Sequence, residues 1–449
     1  MVSVCGEHFE VTSAQQLIKL LNISEANHFD ANITLLDDLD FSGSALTLPF
    51  GVSPDGFCVS YTGVFEGNGH TIKGLVMNNT ENQEYDNAGL FCALENATFE
   101  NLVIDSSCSF TGSSYAGALS VSLTGSFTAT NATNKAVISG DYKAGGFIGI
   151  IQVLGQRTKV TFKDCVNDGN VTGRYCLGGF VGDTYGSANT KKTISNCVNN
   201  GLITGSDRVG GFTGDLFSTR ESEVIISDCV NNGPITGEGG VGGFVGGILL
   251  ENGKSVILFN CTNTGEINGT KYAGGLVGGI GSELDHDSFS IISSANKGNV
   301  SAVFFACGMI CVYSEYGNNV NATVMNSINK GSVNTTINTY GITNNITKAG
   351  NVVSMGEVNA SSGSFTFWQS PTDVDLFFGL DSKCVNCTDG TTLFVHNTKT
   401  GFYEVVGSGE HVHDLLNAEV KKQNYGMFWT KRLELVEPGE LSGGNKHGV

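Results

Sequence analysis

The sequence predicts an all-β chain: a right-handed parallel β-helix, or β-solenoid, of about 32–33-residue coils, with a short N-terminal capping helix and a small C-terminal cap region. Three observations predict it. A phrase recurs as KDCVNDGNVTG from Lys163, SNCVNNGLITG from Ser195, SDCVNNGPITG from Ser227 and FNCTNTGEING from Phe259, with looser versions from Ser293 and Asn326. Its Asn steps with a glycine farther along: Asn134, Asn167, Asn199, Asn231, Asn263, Asn296 and Asn329 advance by 32 or 33 residues, as do Gly146, Gly179, Gly211, Gly243, Gly275, Gly308 and Gly341. Inside each period three apolar anchors stand nine residues apart, as Ile194, Ile203 and Phe212 or Ile226, Ile235 and Phe244.

A fixed period of this size marks stacked units. The anchors are mostly β-branched or aromatic, as strands prefer, and the segments between glycines are too short for stable helices. Three anchors predict three faces per coil, and the hand of parallel crossovers predicts a right-handed coil. Nine or ten coils at roughly 4.8 Å each make a rod of about 45 Å.

Residues 1–30 read as an N-terminal cap, because a stack needs its end edges covered. Thr12 or Ser13 supplies an N-cap, and Leu17, Leu20 and Leu21 fall on the inward side of a short helix. Residues 31–360 carry the coils. After Asn359 the register fails, so 361–449 read as a C-terminal cap or small α+β appendage, with short strands between Phe365 and Val406 and a helix near Val412–Lys422.

Within a coil, Asn167, Asn199, Asn231, Asn263 and Asn296 are expected to form a ladder, each amide bonding its copy above and below. Gly169, Gly201, Gly233 and Gly265, two residues on, are expected at a bend whose backbone angle disfavours a Cβ. Cys165, Cys197, Cys229 and Cys261 stand two residues before the Asn at intervals of 32, and Ser294 and Ser327 replace them later. That pattern suits small core fillers rather than disulfides. Between each Phe244-type anchor and the next coil the copies diverge (GDTYGSANTKKT, GDLFSTRESEV, GGILLENGKSV), which predicts variable inserts on one flank.

Composition excludes some functions. Lys and Arg number 24 against 43 acids, for a net charge of −19, so no nucleic-acid partner is expected. No apolar run is long enough for a membrane span, and the opening MVSVCGEHFEVTSAQQ has neither the basic nor the apolar region of a signal peptide. An excess of Asn-x-Ser/Thr sequons, including Asn78, Asn131, Asn170, Asn268, Asn321, Asn345 and Asn386, points to the secretory route and to possible glycosylation. The odd total of 13 cysteines leaves at least one thiol unpaired within the chain.

For chemistry, Asp183 and Asp215 follow successive Gly-Gly-Phe-x-Gly elements and should sit one coil apart, near enough to hold a cation or raise one another's pKa. In the alternative reading they are the acid pair of a polysaccharide lyase or glycoside hydrolase, with Arg208 and Arg220 as candidate basic partners; two solvated turn residues are the plainer reading. Asp285-His286-Asp287 lies in a variable insert and reads as solvated. Cys384 and Cys387 have zinc-ligand spacing, with His396, His411 and His413 downstream, but no second pair accompanies them. Glu66-Gly67-Asn68-Gly69-His70 lacks a phosphate-cradling Lys and reads as a turn. No cofactor and no metal site is expected.

The opening pattern ITLLDDLDFSG, TGVFEGNGHTIKGLVM, AGLFCAL and NLVI resembles the first coils of GLUG-repeat β-helix proteins, and the GGFVG, GGFTG and GGLVG elements resemble their repeat core. With the ending NYGMFWTKRLELVE, the chain is similar to immuno-dominant variable surface antigen-like proteins of protozoan parasites. The resemblance implies cell-surface display or secretion and adhesion rather than a reaction. The expectation is therefore a non-enzymatic surface antigen or adhesin-like solenoid whose variable loops recognise a host or cell-surface protein or glycan. A carbohydrate-active enzyme built on Asp183 and Asp215 is the alternative.

Overall fold

The computed structural model describes residues 7–22, 29–343 and 348–354 apart from 54, 83–84, 154–156, 186–188, 220–221, 252–254, 283–287, 313–320 and 351, and beyond these only short strands from Val358–Ala360 to Leu435–Val436. The chain is a parallel β-solenoid. One coil runs through Lys191–Ser195, Val198–Asn199, Ile203–Thr204 and Asp207–Gly210, then past a bend at Gly211 and Phe212 into Thr213–Thr219. Among the described residues, the strands of successive coils pair in parallel with their equivalents, in sheets of 13, 14, 10 and 15 strands along the rod, of which the 14-stranded sheet ends in antiparallel strands. At roughly 4.8 Å per strand the first spans about 58 Å.

There are four faces where three anchors predicted three. The second face is a two-residue strand, such as Val230–Asn231, whose buried residue is the Asn, so it has no apolar anchor to reveal it. On the other faces like stacks on like: Ile194, Ile226 and Leu258 are register partners on the first, and Ile203, Ile235 and Ile267 on the third. At the bend, Phe180, Phe212 and Phe244 stack with ring centroids 4.8 Å apart.

The Asn column hydrogen-bonds from coil to coil. The Nδ2 of Asn167 donates to Asn199 Oδ1 at 2.8 Å, Asn199 to Asn231 at 2.7 Å, Asn231 to Asn263 at 2.7 Å, and Asn263 to Asn296 at 2.8 Å. The other proton of each amide goes to the carbonyl two residues on, as from Asn231 to Gly233 at 2.9 Å. Every member is fully buried, and a buried polar column is stable when all its groups are paired.

The glycines two residues after the Asn act for a different reason than their expected backbone angle. Gly169, Gly201, Gly233 and Gly265 are not in the left-handed region; a Cβ on them would lie 2.0–2.1 Å from the carbonyl oxygen of Ala136, Gly169, Gly201 and Gly233 one coil back. Close approach of backbones excludes the side chain. The left-handed bend falls instead just before the Cys column, at Asp164, Asn196, Asp228 and Asn260 (φ 55°, 53°, 54° and 50°), residue types that tolerate it. We therefore expect Gly201→Ala to lower stability by about 3 kcal/mol through overpacking. Gly43→Ala, at φ 73° with open space around it, should cost about 1 kcal/mol in urea unfolding. Equal losses would mean that backbone angle rather than crowding governs the repeat glycine.

Cys165, Cys197, Cys229 and Cys261 are free and buried. They also hydrogen-bond: Cys229 Sγ donates to Ser227 O at 3.0 Å and accepts from Cys197 N at 3.4 Å. Ser294 makes the same two bonds, to Ile292 O at 2.9 Å and from Cys261 N at 3.1 Å, which explains the exchange of sulfur for oxygen. Cys58 and Cys92 are disulfide-bonded.

At the N-terminus, the helix Ala14–Leu20 begins at the N-cap Ser13, whose side chain accepts from Gln16 N, and buries Leu17; Leu21 is buried just beyond it and Leu20 partly so. At the other end, parallel stacking continues beyond Asn359: Cys384–Val385 pairs with Ala349–Gly350, and Cys387–Thr388 pairs at Val353 before antiparallel strands Thr392–His396 and Tyr403–Ser408 take over. The helix expected near 412–422 lies outside the described residues.

Much of the variable stretch is strand rather than loop. Leu216, Phe217, Ser218 and Thr219 pair with Ile248, Leu249, Leu250 and Glu251, burying Leu216, Ile248 and Leu250. Divergent sequence there reflects an apolar extension of the fourth face, which shortens the inserts expected on that flank.

Candidate functional site

The fourth face brings charge together because its strands touch through glycine. A Cβ on Gly214 would lie 2.2 Å from Leu177 N, and one on Gly246 2.3 Å from Val209 N. Each strand after the bend therefore lies directly against a strand before the bend one coil back. Residues following those glycines meet residues preceding the bend. Before it, Lys143, Cys176, Arg208, Gly240 and Tyr272 occupy successive rungs of one column. After it, Ile150, Asp183, Asp215 and Gly247 do the same.

Asp183 and Asp215 are direct register partners, 4% and 8% exposed, so they are not the solvated turn residues of the plainer reading. Lys143 Nζ lies 2.5 Å from Asp183 Oδ2, and Arg208 Nη1 donates to Asp215 Oδ2. Burial pushes the Asp215 carboxyl up to about 6 against the opposing pull of Arg208, with Asp183 adding to the rise. Burial works to lower the Lys143 ammonium, but the Asp183 charge and hydrogen bond outweigh it and the net shift is upward. The Oδ1 of Asp183 is buried with no hydrogen-bond partner. Beside the carboxylates sits the thiol of Cys176; burial, then Asp215 and Asp183, push it far above the ordinary thiol range.

Cys176 and Arg208 both have left-handed backbones, φ 53° and 55°. Neither is a residue type that adopts this conformation readily, and each costs about 1–2 kcal/mol. Strand pairing passes on either side of them, through Tyr175 with Asp207 and Leu177 with Val209. Their displaced backbone accompanies side chains gathered over the acids.

Lys192 lies on the first face at an inward position whose register partners are Val160 and Val224. It is 4% exposed, and its Nζ donates to Phe217 O at 3.4 Å. Burial lowers its pKa to about 7 despite the favourable charge of Asp183. A cavity of about 20 Å³ beside it, lined also by Thr184, Thr213 and Leu216, has room for one water.

On the outer surface, Gly240 and Gly247 leave one rung of the two columns without side chains. The result is a recess of about 130 Å³, walled by Arg208 and Asp215 on one side and by Tyr272 on the other, with Asp207 and Lys271 at its rim. Farther along this face Tyr142 and Tyr175 stack at 6.0 Å, each about half exposed, with Arg174 over both rings.

Of the other sequence candidates, Arg220, Asp285-His286-Asp287, His411 and His413 lie outside the described residues. Cys384 and Cys387 belong to strands of two different sheets. Glu66 ends the strand Val64–Glu66, and Gly67 to His70 form a turn with Asn68 and Gly69 at φ 51° and 80°. The sequon residues Asn78, Asn131, Asn170, Asn268 and Asn321 are all exposed, while Asn345 and Asn386 lie outside the described residues. Lys143, Cys176 and Lys192 were missed. Lys192 was detectable, since aligning the coils places it in a valine column. Lys143 and Cys176 had no such signal, because their site depends on contact across the bend.

Among the described residues no helix is long and apolar enough to cross a membrane. No family model matches the chain, and no curated protein matches it. Among solved structures, it is similar to the crystal structure of a proposed immunoglobulin A1 protease from Bacteroides ovatus, at 13% identity over 96% of this chain and 92% of the other, with a TM-score of 0.40.

Proposed function

We propose that this solenoid is a non-enzymatic recognition module of the surface-antigen or adhesin type, akin to the GLUG-repeat β-helix and variable surface antigen-like proteins, and that it binds cell-surface glycan. The recess at Gly240 and Gly247 carries the reading. Its volume of about 130 Å³ is on the scale needed to admit part of one sugar ring. Tyr272 offers an aromatic wall for the apolar face of such a ring, and Arg208, Asp215, Asp207 and Lys271 offer donors and acceptors for its hydroxyls. The two acids and two bases balance, which favours a neutral sugar over a charged one.

A second reading, carbohydrate turnover, draws on Asp215, which lines the recess and whose pKa is raised to about 6, the range of a general acid. Its partner acid, Asp183, does not line the recess, and both acids are ion-paired, so a free acid pair is lacking. Screening the purified protein against an array of neutral and acidic saccharides tests both readings. Gly247→Val fills the recess against the flexible Arg208 side chain 3.3 Å away and is expected to weaken saccharide binding at least tenfold, as is Tyr272→Ala. Unchanged binding in both variants would reject the recess. Turnover that disappears in Asp215→Asn would favour the enzyme.

A further inference from the structure

We infer that Cys176, Asp183 and Asp215 form a binding site for one thiophilic divalent cation of the zinc class. The cation site shares Asp215 with the outer recess, but the inference does not rest on what the recess binds. One ligand atom from each of the three residues lies within 4.8 Å of the other two, and all three residues are buried. A thiolate with two carboxylates suits a borderline-soft cation such as Zn²⁺ rather than Mg²⁺ or Ca²⁺, which take oxygen.

The second observation is the orphaned Asp183 Oδ1, in a side chain more than nine-tenths buried. Such an atom costs free energy unless something meets it. Lys143 holds the other oxygen of Asp183, and Arg208 holds Oδ2 of Asp215, so in each acid one oxygen is oriented by a base while the other can turn toward a cation. That arrangement is how outer groups commonly fix carboxylate ligands. The left-handed backbone at Cys176 keeps its sulfur beside the acids.

Binding moves one proton: the Cys176 thiol releases it to solvent as the metal–sulfur bond forms. Lys143 and Arg208 oppose the incoming charge, so the balance of the site is three negative ligands against the cation and two bases. This predicts an effect opposite in sign to ordinary damage. Lys143→Gln removes one repelling charge while its amide can still donate to Asp183 Oδ2, so the carboxylate stays oriented and metal binding should tighten about tenfold, although an ion pair of the metal-free protein is lost.

The test is titration of the purified full chain with Co²⁺ as a spectroscopic probe, followed by displacement with Zn²⁺. A saturable thiolate-to-cobalt charge-transfer band at one equivalent is expected. It should vanish in Cys176→Ser, weaken at least tenfold in Asp183→Asn, and saturate at lower Co²⁺ in Lys143→Gln, with circular dichroism confirming that each variant is folded. If Cys176→Ser does not fold, Cys176→Ala and the Asp183→Asn and Lys143→Gln shifts decide. No band in the folded wild type, a band that persists without Cys176, or weaker binding in Lys143→Gln would overturn the site.

Discussion

Replacing Asn231 with leucine is expected to lower the stability of the solenoid by on the order of 4 kcal/mol, among the largest effects open to a single polar residue. Asn231 accepts from Asn199 and donates to Asn263 and to Gly233 O, and it is fully buried. Leucine has nearly the same shape, so packing is kept while the Asn199 amide, the Asn263 side-chain oxygen and the Gly233 carbonyl lose partners in a place water cannot reach. Each orphan costs about 1–3 kcal/mol. Asn232 is the natural control. It also bonds its copy one coil back, to Asn200 Oδ1 at 2.9 Å, but it is exposed. Asn232→Ala should change stability by no more than about 0.5 kcal/mol, since water replaces both the bond to Asn200 and the one accepted from Thr264. The readout is the urea midpoint of both variants. Comparable losses in the two would show that the buried ladder has no special weight.

Lys192→Val should do the opposite and stabilise the protein, by on the order of 4 kcal/mol at neutral pH. The substitution continues the valine column of Val160 and Val224, and Phe217 O keeps a hydrogen bond from Thr184 Oγ1. The sign of the pH dependence follows from the lowered pKa. Folding drops the lysine from its ordinary 10.5 to about 7. Between those values the unfolded chain binds a proton that the folded chain does not, so wild-type stability rises with pH across this window. Below pH 7 both states are protonated and the penalty is constant; above 10.5 neither is and the penalty is gone. The gap between Lys192→Val and wild type should therefore be widest at pH 7 and narrow steadily by pH 9.5. Urea unfolding at the two values measures it. A variant less stable than wild type at pH 7 would mean that the buried amine has a favourable partner and that burial does not dominate its energy.

How far the sequence could be read follows from which interactions repeat. Stacking places each residue on its own copy, so any feature made between copies appears as a column with a fixed step. The Asn ladder, the phenylalanine stack and the small Cys or Ser beside the bend all have this property, and their period was visible in the letters. Even so, the step did not reveal how columns touch. The glycine of the Gly-Gly-Phe element and the Asn advance together because they meet inside the rod: a Cβ on Gly179, Gly211 or Gly243 would lie within 2.8 Å of the side chain of Asn199, Asn231 or Asn263.

The candidate site was less legible for the same reason. Asp183 and Asp215 were identifiable because they share a column, but their burial, their ion pairs with Lys143 and Arg208, and the thiol of Cys176 arise where one strand crosses another at Gly214. Nothing in a single period marks that crossing, since Lys143, Cys176, Arg208 and Gly240 share a position without sharing chemistry. The sequence by itself determined the parallel coil, its period and the residues that stack on themselves, because translational repetition turns a spatial contact into a linear interval. Only the tertiary structure decided that the Asn column forms a separate second face, the crowding that demands the repeat glycines, and the charged cluster, because these depend on contacts whose spacing along the chain carries no apolar or regular signal.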